Sequence, residues 1–182
     1  MQKDIKRVLV SKEELEKTVE RLGKQISKDY EGKNLLLVSI LKGSVIFMAD
    51  LMRHITVPCE IDFMSLSSYG ASTTSSMRIK VNKDLDICPE GYDILIVEDI
   101  LDSGKTLDYV INNMLKTKNP ASVKICTLLD KPSRREVMTI KAEYSGMEVP
   151  NAFVVGYGLD YNEKYRNLPY IGELKEEVYM NK

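Results

Sequence analysis

Cysteine is scarce in this 182-residue chain, and what there is does not pair. Cys59, Cys88 and Cys126 are odd in number and scattered, with no Cys-x-x-Cys spacing. That argues against both a disulfide framework and a cysteine-ligated zinc site. Cys126 lies inside an apolar run and reads as core. Histidine is scarcer still. His54 is the single one, and it falls near the end of an expected helix, where a solvated or capping role fits better than catalysis. No apolar run approaches the roughly 20 residues of a membrane span. The first residues, Met1 to Arg7, lack the long apolar centre of a signal peptide. Charge of one sign is missing too: 26 Lys and Arg face 27 Asp and Glu, for a formal net charge of −1 and a pI near 6.0. A nucleic-acid binder needs a basic face, which this balance does not supply. The expectation is a cytoplasmic chain with no nucleic-acid or membrane partner. The length suits one domain, 1–182, with a sizeable core. Repeats, low-complexity tracts and interdomain linkers are absent.

What is present alternates between two periods. Ser11 and Glu14 form a capping box, and Leu15, Val19, Leu22 and Ile26 make one apolar helix face. Asn34 to Leu41 is an apolar run that reads as a core strand. Lys42-Gly43-Ser44 is a turn, and Val45, Phe47, Met48, Leu51, Met52 and Ile55 then mark a helix. Pro58 to Leu66 reads as a second strand. Ser67 to Ser76 is almost entirely Ser, Thr, Gly and Ala apart from Tyr69, so it is expected to be a loop. Met77 to Val81 resumes as a strand, making the loop a link between hairpin arms. Ala121 to Leu129 is another buried strand, ending in Asp130-Lys131-Pro132. Pro150 to Gly158 gives a strand and turn, and Tyr170 to Leu174 a short last strand. Strands alternating with helices predict an α/β fold with a mostly parallel central sheet flanked by helices.

The chain is organised around Asp93 to Leu107. Ile94, Leu95, Ile96 and Val97 form a strand buried on both faces. Glu98 and Asp99 close it. The loop Asp102-Ser103-Gly104-Lys105-Thr106 follows, and Leu107, Val110, Ile111, Met114 and Leu115 recur at helical spacing. Ligands of open parallel sheets bind just beyond the carboxyl ends of the strands. Ser103 to Thr106 can aim backbone N–H groups and hydroxyls at an anion, with the positive end of the helix behind them. A Walker A loop is excluded, because the position five residues before Gly104 needs glycine and holds Asp99. Carboxylates repel phosphate, so Glu98 and Asp99 should face something else. Two adjacent acids suit a vicinal diol. A phosphate cradle beside a diol clamp describes a ribose 5-phosphate.

The run Val97 to Leu107 closely resembles the phosphoribosyl-pyrophosphate motif of the type I phosphoribosyltransferase family. From about Val8 to about Leu174 the chain resembles the hypoxanthine-guanine branch of that family. The resemblance implies a parallel-sheet core topped by a small hood built from the chain ends, roughly 1–10 and 150–182. It implies transfer of a phosphoribosyl group to a 6-oxopurine, hypoxanthine or guanine, with release of pyrophosphate. The implied donor-binding set is Lys42, Gly43, Glu98, Asp99, Asp102, Ser103, Gly104, Lys105, Thr106 and Arg166. By residues alone Lys131 would be a surface lysine and Phe153 core. The resemblance instead sets Lys131 against the exocyclic oxygen of the purine, Phe153 on its ring face, and the Val154 backbone at its edge. It assigns Asp160 to the magnesium–pyrophosphate region and the purine edge. It often places a non-proline cis peptide before Lys42.

Asp102, at the mouth of the cradle, is the expected general base. Magnesium is the expected cofactor, with Glu98, Asp99 and Asp160 as its carboxylates. Ser68 and Tyr69 are expected to belong to a lid, Ser67 to Ser76, that closes over the pyrophosphate. A homodimer or homotetramer is the expected assembly. Two alternatives stand beside this reading: a transferase for another base such as xanthine, and a non-catalytic sensor of the same donor.

Overall fold

The computed structural model describes residues 1–69 and 78–180. Its central sheet has six strands: β2 (Leu35–Leu41), β3 (Cys59–Tyr69), β4 (Arg78–Lys83), β5 (Asp93–Leu101), β6 (Ser122–Asp130) and β7 (Tyr144–Glu148), in the order β4-β3-β2-β5-β6-β7. All neighbours are parallel except the β3–β4 hairpin. The central sheet has helices on both faces, which is why residues 35–38 of β2 and 94–97 of β5 are continuously apolar. Leu35 and Leu37 of β2, with Leu95 and Val97 of β5, pack on one face against α1 (Lys12–Asp29) and α2 (Val45–His54). Leu36, Val38 and Ile40, with Ile94 and Ile96, pack on the other against Leu107, Val110, Ile111, Met114 and Leu115. Those last residues belong to α3 (Lys105–Tyr109) and to the wider π-type turns that continue it over Val110–Leu115.

β2 runs through α2 to β3 on one side, and β5 runs through α3 to β6 on the other. The direction of winding therefore reverses between β2 and β5, and a crevice opens there at the carboxyl ends of the strands. The Lys42-Gly43-Ser44 turn and the Asp102–Thr106 loop both sit at this crevice.

A second sheet of three antiparallel strands, β1 (Ile5–Val10), β9 (Ile171–Leu174) and β8 (Val154–Val155), is built from the two ends of the chain. Glu173 of β9 holds Lys6 at 2.8 Å and Arg7 at 2.7 Å, both on β1. The chain closes with a single helical turn, α4 (Glu176–Tyr179).

The capping box is formed as expected: Ser11 Oγ accepts from the Glu14 N–H, and Glu14 accepts from the Ser11 N–H. The expected loop starts too early, however. Ser67, Ser68 and Tyr69 continue β3 and pair with Lys80, Ile79 and Arg78. Hairpin hydrogen bonds are made by the backbone, so this polar stretch extends the ladder without apolar side chains. Residues 70–77, which hold the rest of the expected lid and Met77, lie outside the described residues. The helix after Lys105 departs from regular α geometry at Val110, which helical spacing alone does not reveal.

His54 is exposed at the end of α2. It packs there against Gly23 of α1, where an added Cβ would lie 2.4 Å from His54 Cβ and 2.8 Å from its carbonyl oxygen. Helix propensity alone favours alanine over glycine by about 1 kcal/mol. Overpacking a tight contact costs about 1–3 kcal/mol. We expect Gly23→Ala to lower stability in urea titration, against the propensity trend. A more stable variant would show that α1 and α2 are not in backbone contact at this point.

Candidate active site

Strand alternation decides where the two carboxylates go. Glu98 follows Ile94 and Ile96 toward the α3 face, and Asp99 follows Leu95 and Val97 toward the α2 face. Glu98 accordingly borders a small cleft of about 80 Å³ lined also by Ile100, Leu101, Asp102, Ser103, Gly104, Thr106 and Leu107. Its Oε2 is buried with no hydrogen-bond partner. Burial, reinforced by the nearby Asp99 carboxylate, pushes the Glu98 carboxyl well above its ordinary range. Asp99 is buried against the β2–α2 turn, and its Oδ1 accepts from the Ile100 N–H at 2.8 Å. Burial raises its carboxyl to about 6, although that backbone hydrogen bond and the positive charge of Arg166 oppose the shift.

Gly43 is what lets Asp99 in. A Cβ on Gly43 would lie 1.8 Å from Asp99 Oδ2. On its other side the turn meets Gly158, whose φ is +105° and whose added Cβ would lie 1.9 Å from the Gly43 carbonyl oxygen. The Leu41–Lys42 peptide bond in this turn is cis. The Gly43 backbone is thus closed in by the Asp99 carboxylate on one side and by the Gly158 backbone on the other.

The expected phosphate cradle is the turn into α3. Gly104 has φ +85° and stands at the helix start, and Ser103 Oγ accepts from the Lys105 N–H at 3.4 Å. The loop after β6 closes over it. The N–H groups of Glu136 and Val137 both donate to the Ser103 carbonyl at 3.0 Å, and Arg135 Nε donates to the Asp102 carbonyl at 2.8 Å. Asp102 itself is partly exposed, with Arg134 Nε at 3.4 Å from Oδ1.

Lys131 is buried, against its reading from residues alone. Its N–H donates to the Leu101 carbonyl at 3.0 Å, and its Nζ donates to the Ala152 carbonyl at 2.8 Å. Burial lowers the Lys131 ammonium pKa, with the Asp102 charge opposing. Phe153 is 37 % exposed and so is not core. It stacks on Tyr179 at 4.9 Å and meets the edge of Tyr161 at 5.5 Å. Val154 is buried and pairs with Glu173. Asp160 Oδ1 holds Arg166 Nη2 at 2.9 Å, and Arg166 Nη1 donates to the Gly158 carbonyl at 2.7 Å.

Glu163 went unnoticed in the sequence. It pairs with Lys42 at 3.2 Å and with Arg166 at 3.2 Å. Glu136 likewise takes Lys105. Both are acids in polar loops, and only the fold brings them to the cations. Among the described residues no three Asp, Glu, His or Cys side chains converge to hold a metal ion, so Glu98, Asp99 and Asp160 are not a ready-made cage. Side chains at Ser68 and Tyr69 lie outside the described residues.

Residues 9–162 match the phosphoribosyl transferase domain family. Two curated proteins called hypoxanthine-guanine phosphoribosyltransferase are 54 % identical to this chain. The one from Bacillus subtilis (strain 168) aligns over 98 % of both chains. The one from Streptococcus pneumoniae (strain ATCC BAA-255 / R6) aligns over 100 % of this chain and 99 % of its own. A crystal structure of a hypoxanthine phosphoribosyltransferase from Staphylococcus aureus superposes with a TM-score of 0.93 at 50 % identity, over 98 % of this chain and 96 % of that one.

The buried carboxyls give a pH signature. With the folded Glu98 pKa raised, the native state holds a proton that the unfolded chain releases near the ordinary value of 4.5. Its contribution to stability therefore falls as pH rises from there and levels off above the raised folded value. We expect Glu98→Gln, in EDTA, to melt higher than the parent at pH 7.5. A gain of about 1 kcal/mol would correspond to roughly 2–4 °C in a chain this size. The difference should close toward pH 4. A variant that melts lower at pH 7.5 would make the Glu98 carboxylate stabilising.

Proposed function

This chain belongs to the phosphoribosyl transferase domain family, and we propose on that footing that its switch-point crevice is where 5-phosphoribosyl 1-pyrophosphate meets a 6-oxopurine. The protein is a purine salvage transferase, joining hypoxanthine or guanine to the donor to give IMP or GMP and pyrophosphate. Relatives at about half identity over whole chains support that activity ahead of a non-catalytic sensor or a xanthine enzyme. The observation in the fold that carries it is the small cleft that an anion cradle at Ser103–Thr106 shares with Glu98, whose buried Oε2 has no hydrogen-bond partner, with the buried Asp99 next to it in the strand.

In this reading the N–H groups and hydroxyls of Ser103 to Thr106 hold the 5-phosphate, and Lys105 neutralises it. Glu98 and Asp99 accept from the ribose hydroxyls. Lys42, the Gly43 backbone and Arg166 hold the pyrophosphate. Lys131 has three donors and no acceptor. One is spent on Ala152, and the others are available to a carbonyl at purine C6. The Phe153 ring lies along the purine, the Val154 backbone meets its edge, and Asp160 stands between purine and pyrophosphate. N9 of the purine bonds to the anomeric carbon as the bond to pyrophosphate breaks. Asp102 takes the N7 proton, so the product leaves without a cationic ring. Positioning and charge neutralisation supply most of the rate.

Magnesium, when bound, would neutralise the departing pyrophosphate. The unpartnered Glu98 Oε2 and the Asp99 and Asp160 carboxylates are hard oxygen donors that suit it, in company with substrate oxygens. Ser68 and Tyr69 are read as the near end of a lid. A cytoplasmic homodimer or homotetramer is the matching assembly, with Val45 exposed beside the crevice. Among the described residues no helix is long and apolar enough to cross a membrane.

The test is a radiolabelled-base assay with hypoxanthine, guanine, xanthine and adenine, in the presence of donor and magnesium. Hypoxanthine and guanine should be converted and adenine rejected. Asp102→Asn should lower kcat by about 10²–10⁴-fold while donor binding changes little. Turnover of none of the four bases would contradict the function, and an Asp102→Asn variant with parental kcat would remove Asp102 as the base.

A further inference from the structure

The corner of the crevice where Lys42 and Arg166 meet already contains an anion. The Glu163 carboxylate reaches Lys42 Nζ with Oε1 at 3.2 Å and Arg166 Nη2 with Oε2 at 3.2 Å. Arg166 Nε lies 3.4 Å from the same Oε2. One carboxylate therefore spans two cations from different parts of the chain, the β2–α2 turn and the loop after β8. Two oxygens of a phosphate group would make the same pair of contacts.

Stability does not account for this arrangement. The Lys42 and Glu163 side chains are 66 % and 64 % exposed, and exposed ion pairs contribute little. The backbone is not relaxed either. Asn162, Glu163 and Tyr165 have φ of +50°, +60° and +75°, a region that non-glycine residues rarely adopt and that recurs at functional sites. A 2.8 Å hydrogen bond from the Glu163 N–H to Asp160 Oδ2 fixes this turn. Arg166 does not need Glu163 to stay in place, because its Nη1 is anchored on the Gly158 carbonyl at 2.7 Å and its Nη2 on Asp160 at 2.9 Å.

We propose that Glu163 is a counter-ion built into the pyrophosphate corner, seated across Lys42 and Arg166 and displaced when pyrophosphate binds. The proposal rests on the functional reading above and adds a positioning residue to it. Glu163 neutralises the two cations in the free protein and competes with the donor for them. It then re-forms its pairs as pyrophosphate departs, which favours product release. Glu163 is exposed and hinged on a short turn, so its side chain can swing away without disturbing the Arg166 anchor.

The experiment compares the parent protein with Glu163→Gln and with Glu163→Gly, the second relieving the positive φ. Binding of inorganic pyrophosphate with magnesium is measured by calorimetry at low and high salt, beside KM for donor and for hypoxanthine. Removing one unit charge at hydrogen-bond distance near a surface should tighten pyrophosphate binding about tenfold. The gain should shrink at high salt. KM for the donor should fall, and KM for hypoxanthine should stay the same. Unchanged or weaker pyrophosphate binding in both variants, with the parent active, would overturn the counter-ion role alone. A parent that neither binds pyrophosphate nor turns over would overturn the functional reading and this proposal with it.

Discussion

Gly43 has no room for a side chain, and the crevice depends on that. The space a Cβ would take is filled by the Asp99 carboxylate, and the Gly43 carbonyl in turn is pressed by Gly158. A Cβ at Gly43 would displace the Asp99 carboxylate, and one at Gly158 would press on the Gly43 backbone. The β2–α2 turn, the end of β5 and the hood loop carry Lys42, Glu98, Asp99, Asp160, Glu163 and Arg166. The Gly43 backbone touches the other two segments directly, the Asp99 carboxylate on one side and Gly158 on the other.

Exchange is the second theme of the crevice. Lys42 and Arg166 rest on Glu163, Lys105 on Glu136, and Arg134 near Asp102. Lys42, Arg166 and Lys105, the cations proposed for the donor, are thus each paired with an acid of the chain itself. This agrees with the overall balance of 26 basic and 27 acidic residues. Glu98 Oε2, by contrast, is buried without a partner, and burial raises both the Glu98 and the Asp99 carboxyls. The proposed donor, with anionic phosphates and neutral hydroxyls, would meet the complement of both halves. Exposed ion pairs are inexpensive to break, so the swap places only a small barrier before binding.

The core of this fold could be read from the sequence because it obeys simple periods. Residues 35–38 of β2 and 94–97 of β5 are apolar because both faces are buried, and α1 shows its capping box and one apolar stripe. β7 could not be read. Tyr144 is its one buried side chain, and the strand is held by parallel pairing to β6 and by Arg21 donating to the Ser145 and Gly146 carbonyls. β1 gives few cues either, since half of its residues are exposed and its register comes from β9. Within the crevice, the 102–106 cradle lies in one contiguous segment and was visible. The burial of Lys131 depends on the Ala152 carbonyl, and the place of Glu163 depends on Lys42, so neither is written locally. For Lys131, Phe153 and Asp160 residue chemistry assigns no role, and the roles proposed for them come from the family resemblance alone.

The direct test of the backbone junction is Gly43→Ala. Only contact opposes a Cβ there, so the variant should fold and melt near the parent. Its Asp99 carboxylate and the β2–α2 turn must nevertheless separate. Misplacement of this size costs on the order of 10²-fold in rate. The measurement is kcat/KM for the phosphoribosyl donor beside a melting curve. A loss of about 100-fold or more with melting preserved is the predicted result. Parental kcat/KM would contradict the claim that the junction at Gly43 positions the site.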